Sequence, residues 1–100
     1  MNGEGNLINF IGSATPDPVS SGNVTIKYQN NVSMNLTLSI YDQLGNEVMR
    51  PIDNIPHGAG AWQVACDVSK FASGTYTYRL SGSNIVKGQM VTSGQFVVQR

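Results

Sequence analysis

A chain of 100 residues with no net charge, and with 12% charged side chains against roughly twice that share in ordinary soluble proteins, has room for one domain around one core. Its six basic residues are scattered from Lys27 to Arg100, which excludes the basic footprint that a nucleic-acid partner needs. No apolar run approaches the roughly 18 residues of a spanning helix and no basic amphipathic helix is present, so no membrane-spanning segment is expected; a single cysteine, Cys66, excludes an internal disulfide.

Met1 to Asn6 lacks the basic and apolar regions of a signal peptide, which fits either a cytosolic protein or a piece of a longer exported one. Residues 1–14 read as a leader with a candidate edge strand at Leu7 to Ile11. From Gly12 to Gly22 the chain is rich in Ser, Pro and Gly. Pro16 and Pro18 remove two backbone donors in close succession, which confines that stretch to a sheet edge or a turn. Val24, Ile26 and Tyr28 alternate with polar neighbours and define a strand from about Asn23 to Gln29.

The longest alternation follows. Val32, Met34, Leu36, Leu38 and Ile40 fall in step, and five apolar residues at i, i+2 spacing define a buried face and pin its register. The chain then breaks at Tyr41-Asp42-Gln43-Leu44-Gly45-Asn46, where Asp42 supplies a side-chain acceptor and Gly45 tolerates positive φ in a tight turn. Glu47 to Arg50 is expected to pair back as a short strand ending at Pro51, with a loop through Pro56 and Gly60. From Ala61, the in-phase residues Trp62, Val64, Cys66 and Val68 predict a strand that buries Trp62 and Cys66. Phe71 is expected to plug the end of the core. Tyr76, Tyr78 and Leu80 share the next strand's inner face, Ser81 to Asn84 reads as a turn, Ile85 to Val91 as a weaker strand broken by Gly88, and Gln95 to Gln99 as the closing strand. No segment has a helical period. Short strands with turn signals at this spacing predict an all-β, Ig-like or fibronectin-like antiparallel β-sandwich of about seven strands over residues 15–100.

Chemistry is scarce. Glu4, Asp17, Asp42, Glu47, Asp53 and Asp67 lie mostly in turns or at strand ends, and no phosphate loop, nucleophile elbow or EF-hand spacing occurs, so no enzyme activity, no metal and no cofactor are expected. Cys66 reads as a small buried thiol and His57 as a loop imidazole. Three sequons, at Asn23, Asn31 and Asn35, against the roughly one or two that so polar a composition produces by chance, are little evidence for glycosylation. Tyr28, Tyr41, Trp62, Tyr76 and Tyr78 are candidates for a sugar platform, but four of them are in phase with their strands' apolar residues and are expected in the core. Tyr76, after the corner glycine Gly74, resembles the tyrosine corner of Greek-key sandwiches, in which the hydroxyl bonds backbone.

Taken together, Thr15-Pro16-Asp17-Pro18-Val19, Val24-Thr25-Ile26-Lys27-Tyr28, Leu38 to Val48 and Ala72-Ser73-Gly74-Thr75-Tyr76-Thr77-Tyr78-Arg79-Leu80 resemble, in order and spacing, the C-terminal sorting domain of type IX secretion cargo. The resemblance runs from about Ile11 to Arg100 and is shared in part by the Ig-like domain of flagellar hook-cap proteins. Where that family usually has Pro-Asn-Pro, this chain has Pro16-Asp17-Pro18. Where its closing strand carries lysines, this chain has Gly94-Gln95 and places Lys87 earlier. The resemblance implies a non-catalytic module at the C-terminus of an exported Bacteroidetes protein, with an N-terminal cargo domain before it. Its implied partners are the outer-membrane secretion machinery and a sortase, and its implied route runs through the periplasm to the cell surface or medium. Carried over residue by residue, the sorting-motif candidates are Pro16, Asp17, Pro18, Tyr41, Asp42, Gly45, Gly74, Tyr76, Arg79, Lys87, Phe96, Val97, Val98 and Arg100.

Recognition is expected along an exposed strand edge and the Phe96 to Arg100 strand, and deleting the last five residues is expected to abolish export. Cleavage from a cargo is expected in or before Asn2 to Ala14. Two other functions fit the same architecture, since fold does not fix function: an adhesive or carbohydrate-binding accessory module of a secreted protein, and a hook-cap-like assembly domain.

Overall fold

The computed structural model describes residues 11–15, 19, 22–30, 32–84 and 88–99. Its strands are β1 (Ile11–Thr15), β2 (Asn23–Asn30), β3 (Met34–Tyr41), β4 (Glu47–His57), β5 (Gly60–Asp67), β6 (Gly74–Asn84) and β7 (Gly88–Val98). They form two antiparallel sheets, ordered β1-β2-β5 and β4-β3-β6-β7. The fold is the expected all-β sandwich, without a helix among the described residues.

Alternation builds the core. Val24, Ile26 and Tyr28 of β2 and Cys66 of β5 face Met34, Leu36, Leu38 and Ile40 of β3, Tyr76, Tyr78 and Leu80 of β6, and Phe96 and Val98 of β7, all buried. Each strand therefore presents one inner row, as a two-layer sandwich requires. Val32 lies just before β3 and Phe71 just after β5, and both pack against this cluster part-buried.

Four expectations differ from the structure. β4 does not stop at Pro51; it runs eleven residues through Pro51 and Pro56. It is the outer strand of its sheet and pairs only with β3, so a missing N–H can face away from the ladder. Its pairing slips between Leu36 and Leu38, between Leu38 and Ile40, and between Ile40 and Tyr41, and Asn54 takes a φ of 55°. Ser81 to Asn84 is not a turn but the end of β6, and the two expected closing strands are one, β7, in unbroken register from Gly74↔Val98 to Asn84↔Gly88. Gly82, expected in a turn, and Gly94 are packing devices. A Cβ on Gly82 would meet Leu36 Cδ2 at 2.9 Å, and one on Gly94 would meet Tyr78 Cε2 at 2.7 Å. Trp62 is not buried: it keeps 41% of its surface, because its inner-face position falls at the open end of the sandwich. The expected edge strand at Leu7 to Ile11 is described only at Ile11, the first residue of β1, which pairs from Ile11↔Gln29 to Thr15↔Thr25; Leu7 to Phe10 lie outside the described residues.

Candidate recognition surface

Most of the described sorting-motif candidates meet at one end of the sandwich. The β3 to β4 turn is closed by the Asp42 N–H donating to the Asn46 carbonyl at 2.9 Å and the Gly45 N–H donating to the Asp42 carbonyl at 3.1 Å. Asp42 Oδ1 accepts from the N–H groups of Leu44 at 2.9 Å and Asn46 at 3.0 Å. Those donors, Asn46 foremost, hold the Asp42 carboxyl below the usual carboxylate range, because they stabilise its charged form. Gly45 sits at φ 87°, where a side chain would be strained.

This turn is tied to the corner before β6. Gln43 Oε1 accepts the Thr75 N–H at 3.0 Å, and a Cβ on Gly74 would lie only 3.0 Å from the same oxygen. Tyr76 Oη donates to the Ala72 carbonyl at 2.7 Å, four residues back, which is the expected tyrosine corner. The Tyr76 ring lies between Phe71 at 4.8 Å and Phe96 at 5.8 Å, centroid to centroid. Phe96 pairs with Tyr76, Val97 with Thr75 and Val98 with Gly74, so the last residues of β7 complete the same end. Tyr41 joins through its pairing with Thr77.

Arg79 stands apart, exposed in the middle of the four-stranded sheet between Ser39 and Ser93. Pro16, Asp17, Pro18, Lys87 and Arg100 lie outside the described residues. Three participants had no sequence signal strong enough to single them out: Gln43, which reads as one polar turn residue among several; Ala72, whose role is its carbonyl; and Val19. Val19 forms an isolated parallel bridge with Val98. Its N–H donates to the Val97 carbonyl at 2.7 Å and its carbonyl accepts the Gln99 N–H at 2.8 Å.

Those two bonds fix which backbone groups of β7 point outward. Val97 and Gln99 turn theirs away from β6, and backbone direction alternates along a strand. With no register shift in β7, the groups of Gln95, Ser93, Val91 and Gln89 turn the same way, onto the outer edge of the sheet. From Gly88 to Val98 the strand has neither a proline nor a charge, the usual devices that protect an edge. The β4 edge has both, with Pro51, Pro56 and an ion-paired Arg50 whose guanidinium lies 2.9 Å from Glu47 and 3.5 Å from Asp53. Apolar surface accompanies the outer strand and the motif end: Val91 is 54% exposed and Leu44, at the tip of the Asp42 turn, 86%.

The opposite end holds the aromatic residues that a ligand reading would use. Tyr28 Oη and His57 Nε2 are 3.0 Å apart, His57 Nδ1 lies 2.9 Å from the Ile55 carbonyl, and Trp62 Nε1 donates to the Gly58 carbonyl at 3.0 Å. His57 is thus an edge-stacked member of an aromatic cluster, 4.7 Å from Trp62 and 5.6 Å from Tyr28. Cys66 is buried, and desolvation pushes its thiol up to about 11, away from the reactive thiolate. Among the described residues no three His, Cys, Asp or Glu side chains gather as metal ligands.

A family model described as the secretion system C-terminal sorting domain matches residues 14–98, which takes in both sheets and the end where the motif residues converge. No curated protein matches the chain.

Proposed function

Because the chain belongs to the family of secretion-system C-terminal sorting domains, we propose that it is a non-catalytic targeting module that takes an N-terminal cargo through the periplasm, across the outer membrane by type IX secretion and on to sortase-dependent attachment at the cell surface. The observation that carries this reading is the placement of β7: its last residues complete the motif end, and it is an outer strand of its sheet with neither a proline nor a charge from Gly88 to Val98. An extended segment of the secretion machinery can add to such an edge, with the backbone supplying affinity and Val91 an apolar contact. Asp42, Gly45, Gly74 and Tyr76 act indirectly, by building the end that holds β7 in place.

Deleting the last five residues cannot test this, since Phe96 and Val98 are core residues and their loss would unfold the module. The informative experiment fuses residues 1–100 behind a periplasm-directed fluorescent reporter, in a type IX competent host and in its secretion-deficient mutant. Surface or medium fluorescence in the competent strain alone is expected. Retention in the periplasm of both strains would overturn the sorting role. In the same assay Ser93→Pro, which blocks an outward N–H, is expected to stop export of a folded module; export at the parent level would overturn the edge mechanism and leave the sorting role standing.

A further inference from the structure

The solvent face of the four-stranded sheet carries a depression that crosses all four strands. Asn54 of β4, Asn35 and Thr37 of β3, Arg79 and Ser83 of β6 and Gln89 of β7 line it. The register sets them side by side, with Asn35 opposite Ser83 and Ser83 opposite Gln89. Asn54 is fixed by its left-handed backbone and by its N–H donating to Thr37 Oγ1 at 3.0 Å.

Arg79 is the single charged residue among the lining ones. Among the described residues its side chain forms neither a hydrogen bond nor an ion pair. The acids of the neighbouring edge are already engaged, since Arg50 takes both Glu47 and Asp53. An exposed guanidinium thus sits among neutral amides and hydroxyls, with Met90 and Val91 as the apolar part of the lining.

We propose that this depression binds an acidic saccharide, with its carboxylate on the fork of Arg79 and its ring hydroxyls on Asn35, Asn54 and Gln89. A guanidinium presents parallel N–H groups that match an oxyanion bidentately. Side-chain amides and hydroxyls both donate and accept, as sugar hydroxyls do. No aromatic side chain lines the depression, so it lacks the anchor typical of a protein interface. The site is open, so its affinity is modest and falls as salt screens Arg79. The proposal does not rest on the sorting role, although the depression borders the β7 edge at Gln89 and Val91.

The test is calorimetric titration of residues 1–100 at low salt with an oligogalacturonate, a neutral oligogalactoside and an oligoglutamate. Saturable binding to the oligogalacturonate, weakened by salt and well above binding to the other two, is expected. Arg79→Gln is expected to weaken it about tenfold or more at unchanged melting temperature, while Arg50→Gln, outside the depression, leaves it intact. No saturable binding, equal affinity for the neutral sugar or the oligoglutamate, or full affinity in Arg79→Gln would each overturn the proposal.

Discussion

Tyr76 illustrates how a motif residue serves the fold. Its ring packs on Phe71 and Phe96, and its hydroxyl reaches the Ala72 carbonyl at 2.7 Å. Tyr76→Phe keeps the ring and removes the donor, leaving a part-buried carbonyl unpaired. A loss of about 1 kcal/mol or more in chemical denaturation is expected, with the same fold; an unchanged denaturation midpoint would show that the corner bond contributes nothing. This residue was legible because Gly74, Tyr76 and the following alternation together specify a corner. Trp62 was not. Its phase assigned it to the inner face, which is where its pairing with Tyr28 puts it, but phase says nothing of how far the sandwich extends over that position. Gly94 carries the same lesson. A glycine in a strand signals either a break or a close approach, and only the Tyr78 ring packed over it decides for the second.

At the scale of the element, alternation specified β2, β3 and the start of β6, where one face is fully buried and the period is clean. It failed at β4 and β7, the two outer strands of the larger sheet. An outer strand has one hydrogen-bonded neighbour, so it tolerates prolines, slips in register and polar residues that would mark a loop elsewhere. The candidate site inherits this limit: the Asp42 turn and Tyr76 corner could be read from local spacing, whereas the Val19 bridge and the outer position of β7 depend on contacts distant in sequence. The outward parity of β7 makes a paired prediction. Thr92 pairs with Leu80 and turns its N–H inward, while Ser93 turns its own to the edge. Thr92→Pro is expected to cost about 1 to 3 kcal/mol for the ladder bond lost and the carbonyl left unpaired, and Ser93→Pro distinctly less. Equal destabilisation of the two, measured by urea unfolding, would refute the assigned parity and with it the open edge.

For the whole molecule, the placement of titratable groups dictates how stability depends on pH. The carboxyls held below their usual range, Asp42 by backbone donors, Glu47 by Arg50 and Asp67 by Ser69, are all on the surface. Their contribution is present above the ordinary carboxylate range and fades as pH falls through their folded values, a small and salt-sensitive loss. The alkaline side is different, because Cys66, Tyr28 and Tyr78, which titrate there, are core residues. Burial raises Cys66 from 9.0 to about 11 and raises Tyr28 and Tyr78 above their usual value. A raised folded value means that the stabilisation is complete below the unfolded value and is lost as pH climbs through the folded one. For Cys66 that window runs from about 9 to about 11, and a shift of this size corresponds to roughly 2 to 3 kcal/mol. Thermal unfolding followed across pH is therefore expected to show a plateau near neutrality, a shallow acid slope and a steep alkaline fall. Cys66→Ala removes one ionising core group, so the same scan should fall less steeply between pH 9 and 11 despite a lower starting stability. An alkaline limb parallel to that of the parent would mean that the thiol is not the core group whose ionisation opens the sandwich, and would assign that part to Tyr28 and Tyr78.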